Sequence, residues 1–253
     1  MQCSYAALMN HQRILTIQMV IAISIAFSGF ACVSNHASAQ SDCNLRGADL
    51  SGCDLGGANL SNGIGTDPTE ANVSERTGPD MTGANLSNAN LSRANLSRAK
   101  LNGANLTGAR LGANLYSADL SEANLSDGRL YNKNMFLANL SGANLTGAGL
   151  TYANLFRADL HGAILRDAIL DTAMLMGANL RGADLSNANL GWANLEGADL
   201  TGADLSDANL GGAKLDGADL TDAHLAHARI RTGVSRGDLK GAKGLGTVKG
   251  LVD

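Results

Sequence analysis

The side chains best able to hold a metal or move a proton in this chain fall into a few sets. His161, His224 and His227 offer imidazoles, the last two only three residues apart. Asp119, Asp159, Asp199 and Asp219 are separated by multiples of twenty, and Asp184 and Asp204 form a second such series. Stacked carboxylates could share a Ca²⁺ through their oxygens. Against that, Asp alternates with Asn at the same position along the chain, which points to solvated turn formers. Two histidines make a weak zinc argument, because a structural site takes four ligands. No Ser-His-Asp or Cys-His arrangement and no phosphate-cradling glycine motif is identifiable, so neither catalysis, a metal nor a cofactor is expected. A different chemistry, contact rather than reaction, is offered by Tyr116, Phe136, Phe156 and Met176 at intervals of twenty, and by Tyr152 and Trp192.

What these spacings mean depends on the elements that hold them. From Leu115 to Ile230 the chain repeats Ala-Asn/Asp-Leu-x-x, with every centre on a multiple of five and only Leu, Met135 and Ile230 at those centres. A five-residue step on an α-helix turns about 500°, so successive leucines would point all round the cylinder. On a flat strand the odd step would alternate their faces. A short extended stub followed by a corner in every unit aims all of them at one axis, which is a solenoid. Ala and Leu, two apart, then point inward while the Asn or Asp between them points outward. An aromatic content of 4% would be poor for a globular core but suits a bore of Leu and Ala.

Units such as Ala143-Asn144-Leu145-Thr146-Gly147 and Ala203-Asp204-Leu205-Ser206-Asp207 closely resemble the pentapeptide repeat family, over about residues 43 to 245. The resemblance implies an all-β fold, a right-handed quadrilateral (four-sided) parallel β-helix with twenty residues per coil. Roughly eight to ten coils at about 4.8 Å would make a rod of the order of 40–50 Å.

Residues 1–39 differ in kind. Arg13, a mostly apolar run from Ile14 to Ala31, and Ala37-Ser38-Ala39 read as a signal peptide cleaved after Ala39. The alternative is a retained anchor, since 18 residues nearly span a bilayer. A lipoprotein reading at Cys32 is weaker, because Phe30 stands where a small residue is usual. The expected division is a signal peptide over 1–39, a β-helix over 40–245 interrupted at 61–80, and a tail over 246–253. Export implies the periplasm or the extracellular space, or the thylakoid lumen in a cyanobacterium. The mature chain keeps Cys43 and Cys53, both at inward positions. An oxidising compartment favours a disulfide between them; a bridge would need their Cβ atoms about 3.8 Å apart, and two small buried thiols are the equal alternative.

Several positions break the pattern. Pro68 and Pro79 fall in the 61–80 interruption, which is read as an extruded loop rather than a degenerate coil. The unit from Leu111 to Leu115 is one residue short, which tightens one corner. Lys133 stands where Ala should point inward, and because a lone ammonium in an apolar bore is costly, a bulge that turns it outward is expected. After Ile230 the repeat fades into a basic end, as a solenoid cap does.

With twenty residues per coil, Tyr116, Phe136, Phe156 and Met176 form one column and Tyr152 and Trp192 belong to another, gathered on one edge. Ile164, Ile169 and Met174 replace Asn/Asp on three successive sides and adjoin it. Such a column is either a stacking ladder between coils or a contact patch. The reading is a non-enzymatic exported scaffold for protein–protein interaction or self-association, with no nucleic acid and no membrane once the signal is removed. The resemblance supplies an alternative, since some members of the family imitate DNA and bind gyrase. A signal segment and a net charge of only −4 argue against it here. An envelope carbohydrate or surface binder is a third reading, resting on the aromatic edge alone.

Overall fold

A computed structural model describes residues 80–91, 96–111 and 114–230. Each unit contributes one extended residue triplet and one turn, and the triplets stack in parallel on those of the next coil. The strands long enough to be named are β1 (Asn90–Leu91), β2 (Arg110–Leu111), β3 (Asn209–Leu210) and β4 (Arg229–Ile230), paired parallel as β1 with β2 and β3 with β4. Elsewhere the ladder consists of single bridges twenty residues apart, such as Asn144 to Ile164 and Ile164 to Asp184. Four units make one coil of a four-sided parallel β-helix.

Where the short unit falls, the bridges run Lys100 to Asp119 and Asn105 to Asn124, one residue closer in sequence than the rest. From Asn114 to Asn134 onward the step is twenty again, so the stack continues past the short unit.

Why the unit has five residues is visible in the destinations of its amides. In Ala143–Gly147, Ala143 donates to the Leu140 carbonyl across the turn at 3.0 Å. Asn144 donates back to Ala123 at 2.9 Å, while Leu145 and Gly147 donate forward to Ile164 at 2.7 Å and to Arg166 at 2.8 Å. The remaining amide, Thr146, donates to Asn144 Oδ1 at 3.1 Å. All five are satisfied, four by backbone and one by the outward Asn, as buried or corner amides require.

The bore holds Leu and Ala throughout, with Leu145, Leu165, Leu180 and Leu200 all at 0% exposure. Lys133 does not bulge. The bridges Asn114 to Asn134 and Asn134 to Asn154 keep the twenty-residue step. The Lys133 amide reaches Leu130 at a stretched 3.3 Å and its carbonyl still accepts from Asn154. Its side chain is half-buried, and burial pushes its pKa down from the ordinary lysine value. A four-carbon stem can leave the bore without an extra backbone residue, which the expectation of a bulge did not allow for.

The signal segment, the 61–80 interruption, Cys43 with Cys53, and the tail beyond residue 230 lie outside the described residues.

Candidate functional site

The four sides can be named by their inward centres: the first by Leu115, Met135, Leu155, Leu175, Leu195 and Leu215, the second by Leu120 and its successors, the third by Leu125, the fourth by Leu130. The outward Asn or Asp of each unit sits mid-side, and the two residues after each centre form the corner. Tyr116, Phe136, Phe156 and Met176 therefore occupy the corner after the first side. Tyr152 and Trp192 occupy the corner before it. The two columns frame one side rather than share one edge, because a whole three-residue stub separates them.

Along the corner after the first side, Tyr116 and Phe136 stack at 5.6 Å and Phe136 and Phe156 at 5.4 Å, with their planes 5° from parallel in both pairs. This is the ladder expected of like residues in register. All three rings are half-buried by it. Arg157 lies over the Phe156 ring at 5.3 Å and Arg98 over Tyr116 at 6.0 Å, capping the ladder with cations.

The opposite corner behaves differently. Tyr152 is 59% and Trp192 64% exposed. The Trp192 indole lies against Gly212, where a Cβ would come within 2.7 Å of its ring carbons, so the next coil covers part of the ring while most of the residue stays exposed. Tyr131, 45% exposed, covers Gly149 in the same way.

Backbone conformation adds a second distinction. In every described turn the third residue has positive φ, between 50° and 75°. Gly, Asn or Asp fills most of these positions, as the left-handed region prefers. Leu137 (57°), Tyr152 (58°) and Trp192 (59°) instead place large apolar side chains there, all of them exposed. Leu137 and Tyr131 are contact candidates that columns of aromatics alone do not reveal; the signal in the sequence was Leu at a position where Gly, Asn and Asp recur.

Ile164, Ile169 and Met174, 40%, 41% and 47% exposed, fall mid-side on the third, fourth and first sides. Met174 thus lies between the two aromatic corners, and Ile169 adjoins the Tyr152 corner. Ile164 faces the opposite way, on the far side of the rod, so one flat contact cannot include all three.

The polar series serve the turns. Asp119 Oδ1 accepts from the Ser121 amide at 3.1 Å, the Ser121 hydroxyl at 2.7 Å and Asn139 Nδ2 at 3.1 Å. Burial pushes the Asp184 carboxyl up, but the Ser186 hydroxyl, the Arg166 guanidinium and the Ser186 amide outweigh it and hold it below the ordinary carboxylate value. Asp199 is likewise raised by burial and lowered further by the Thr201 hydroxyl and amide and by Arg181 at 3.1 Å. At Asp219 the Thr221 hydroxyl and amide lead, and its pKa is also lowered. His161 Nδ1 lies 3.0 Å from the Arg181 carbonyl, so it carries the proton and donates. Among the described residues, no three His, Cys, Asp or Glu side chains gather into a metal-holding group.

The pentapeptide repeat family matches the chain in eight copies, over residues 41–62, 80–112, 113–151, 153–191, 183–222 and 203–231. The chain belongs to the pentapeptide repeat family. Its fold is accordingly the right-handed quadrilateral β-helix of these proteins. Solved pentapeptide repeat structures similar to it include HetL, involved in heterocyst differentiation regulation in the cyanobacterium Nostoc sp. strain PCC 7120, at 32% identity over 76% of this chain and 92% of HetL, with a TM-score of 0.37. A second is QnrB1, a plasmid-mediated fluoroquinolone resistance protein, at 22% identity over 64% of this chain and 84% of that one, TM-score 0.30. A third is a protein of the Arabidopsis thaliana thylakoid lumen, at 34% identity over 45% and 69%, TM-score 0.20. No curated protein matches this pentapeptide repeat chain.

Proposed function

We propose that this pentapeptide repeat protein is an exported, non-enzymatic scaffold that binds protein through its first side and the two corners framing it. The observation that carries the reading is the trio Leu137, Tyr152 and Trp192. Each holds a bulky apolar side chain in a conformation that costs an L-residue about 1 kcal/mol or more, and each presents it to solvent rather than to the bore. Coil stacking accounts for the half-buried Tyr116, Phe136 and Phe156. It does not account for side chains that are strained and exposed together. Met174 adds an exposed apolar side chain mid-side between the corners, and apolar groups gathered on one face mark contact sites.

The non-enzymatic part rests on the bore being filled by Leu and Ala and on the outward hydroxyls and carboxylates being engaged in turn hydrogen bonds. Export rests on Arg13, the apolar run and Ala37-Ser38-Ala39.

The test is capture by cross-linking in the compartment where the mature protein accumulates. Wild type is expected to form a specific cross-linked species that the variant Tyr152→Asn with Phe156→Ser, having an unchanged circular dichroism spectrum, forms at least tenfold less. Equal cross-linking by both proteins would remove the first side from the function, and intact Met1 on a cytoplasmic protein would remove export.

A further inference from the structure

The corner after the first side is graded in charge as well as apolar. Reading along it coil by coil, Ser97 is followed by Tyr116, Phe136, Phe156, Met176, Glu196 and Asp216, and Arg98 stands next to Ser97 at the same corner, in the neighbouring column with Ser117, Leu137 and Arg157. Phe156 is the midpoint: three coils toward the N-terminus lies the level of Arg98, and three coils the other way lies Asp216. Glu196 and Asp216 are exposed and Arg98 is half-exposed.

Resting on the contact reading above, the geometry points to a second copy of this chain as the occupant, packed first side to first side in antiparallel orientation about a two-fold axis at the level of Phe156. That operation reverses the rod direction and keeps each corner against its own counterpart. Phe156 meets Phe156 of the second copy, Phe136 meets Met176, Tyr116 meets Glu196, and Arg98 meets Asp216. The Arg98 end of each corner thus faces the Glu196 and Asp216 end of the other. Packing the rods in parallel, about a two-fold axis along the rod, would set this corner against the one before the first side at the same height, so that Arg98 would face neither Glu196 nor Asp216 and the charge complementarity would be lost.

Two groups oppose the pairing. Arg157, folded over the Phe156 ring, comes near its own copy at the axis, and Lys214 stands mid-side in the same coil as Asp216. Size sets the strength. Six coil steps at about 4.8 Å give a face about 30 Å long, and five residues per side at about 3.3 Å bound its width near 16 Å. That is roughly 1,000 Å² for the pair, at the lower edge of specific interfaces. An interface of that size suits a weak association, and one resting on exposed charge pairs is loosened by salt.

Charge reversal within one chain tests this, by sedimentation equilibrium of the purified mature protein. The same turn positions hold Asp127 and Asp167, or Arg166 and Arg181, elsewhere in the rod, so Arg98→Asp and Asp216→Arg are compatible with the fold. Each alone should raise the dimer dissociation constant at least tenfold. The double variant should restore it to within about threefold, and Arg157→Gln should tighten it. Single variants that pair as well as wild type, or a double variant that fails to recover, would overturn the antiparallel pairing. A wild type that stays monomeric at all concentrations would overturn self-pairing. If Tyr152→Asn with Phe156→Ser still loses a cross-linked species, the occupant is a different protein and the contact reading survives; if it loses nothing, both fall.

Discussion

Asn144 shows why this repeat takes Asn or Asp at one position and tolerates either. Its Oδ1 accepts the one amide of the unit that no backbone carbonyl reaches, that of Thr146, and the Thr146 hydroxyl at 2.7 Å as well. Asp offers the same oxygen with a charge added. Where the charge is used, pH dependence follows. The carboxyls of Asp184, Asp199 and Asp219 have lowered pKa values in the fold. Their contribution is thus complete above the ordinary carboxylate value near 4 and is lost as the pH falls through the folded values. The melting temperature should be flat from neutral pH to about 4 and fall below it. Asp184→Asn with Asp199→Asn, which keeps the turn acceptors, should shallow that fall while changing neutral stability little; an unchanged acid limb would mean that these carboxylates are not ionised partners. In the bore the opposite rule holds. Leu180, at 0% exposure, has no polar neighbour to receive a charge, so Leu180→Asp should cost on the order of 3–5 kcal/mol. Chemical denaturation reads this directly, and an unshifted midpoint would place Leu180 outside the core.

At the scale of one unit, the turn carries the economy of the fold, and its exceptions carry the information. Ile164, Ile169 and Met174 have no oxygen to offer the amides of Arg166, Asp171 and Met176, so one coil forgoes the side-chain cap on three sides. Replacing Ile164 by Asn restores it and removes an exposed apolar group, which should stabilise by about 0.5–1.5 kcal/mol. Because Ile164 faces away from the first side, association should be unchanged; weaker association in Ile164→Asn would mean that the contact wraps round the rod. The unit was the part of the fold most legible in the sequence, since a five-residue period with paired Ala and Leu permits few other architectures. The four-sided cross-section came from resemblance, not from spacing. Two details escaped. Lys133 at an inward position implies a bulge only where the backbone alone can relieve its desolvation, and a long lysine stem is a second way out of the bore. The aromatics line up in columns by the period alone, but the period does not say that residues 132 and 136 stand at either end of a side. Positive φ at Leu137, Tyr152 and Trp192 was invisible until each turn's third residue was known to be left-handed.

At the scale of the whole rod, the described residues form a quasi-one-dimensional stack in which each coil contacts only its neighbours. Such a rod gains stability by length and has four faces to spend on recognition, and this one concentrates strain and apolar exposure around the first. The central claim is that those side chains are kept for contact and not for stacking, and the two roles make opposite demands on stability. The most direct measurement compares wild type with Leu137→Asn, Tyr152→Asn, recording thermal melting of the purified proteins and their cross-linked capture in the compartment where the mature protein accumulates. Relief of two left-handed strains of about 1 kcal/mol each should leave the melting temperature equal or higher, while association weakens at least tenfold. A lower melting temperature with unchanged association would contradict the account and return the exposed side chains to the stability of the coils.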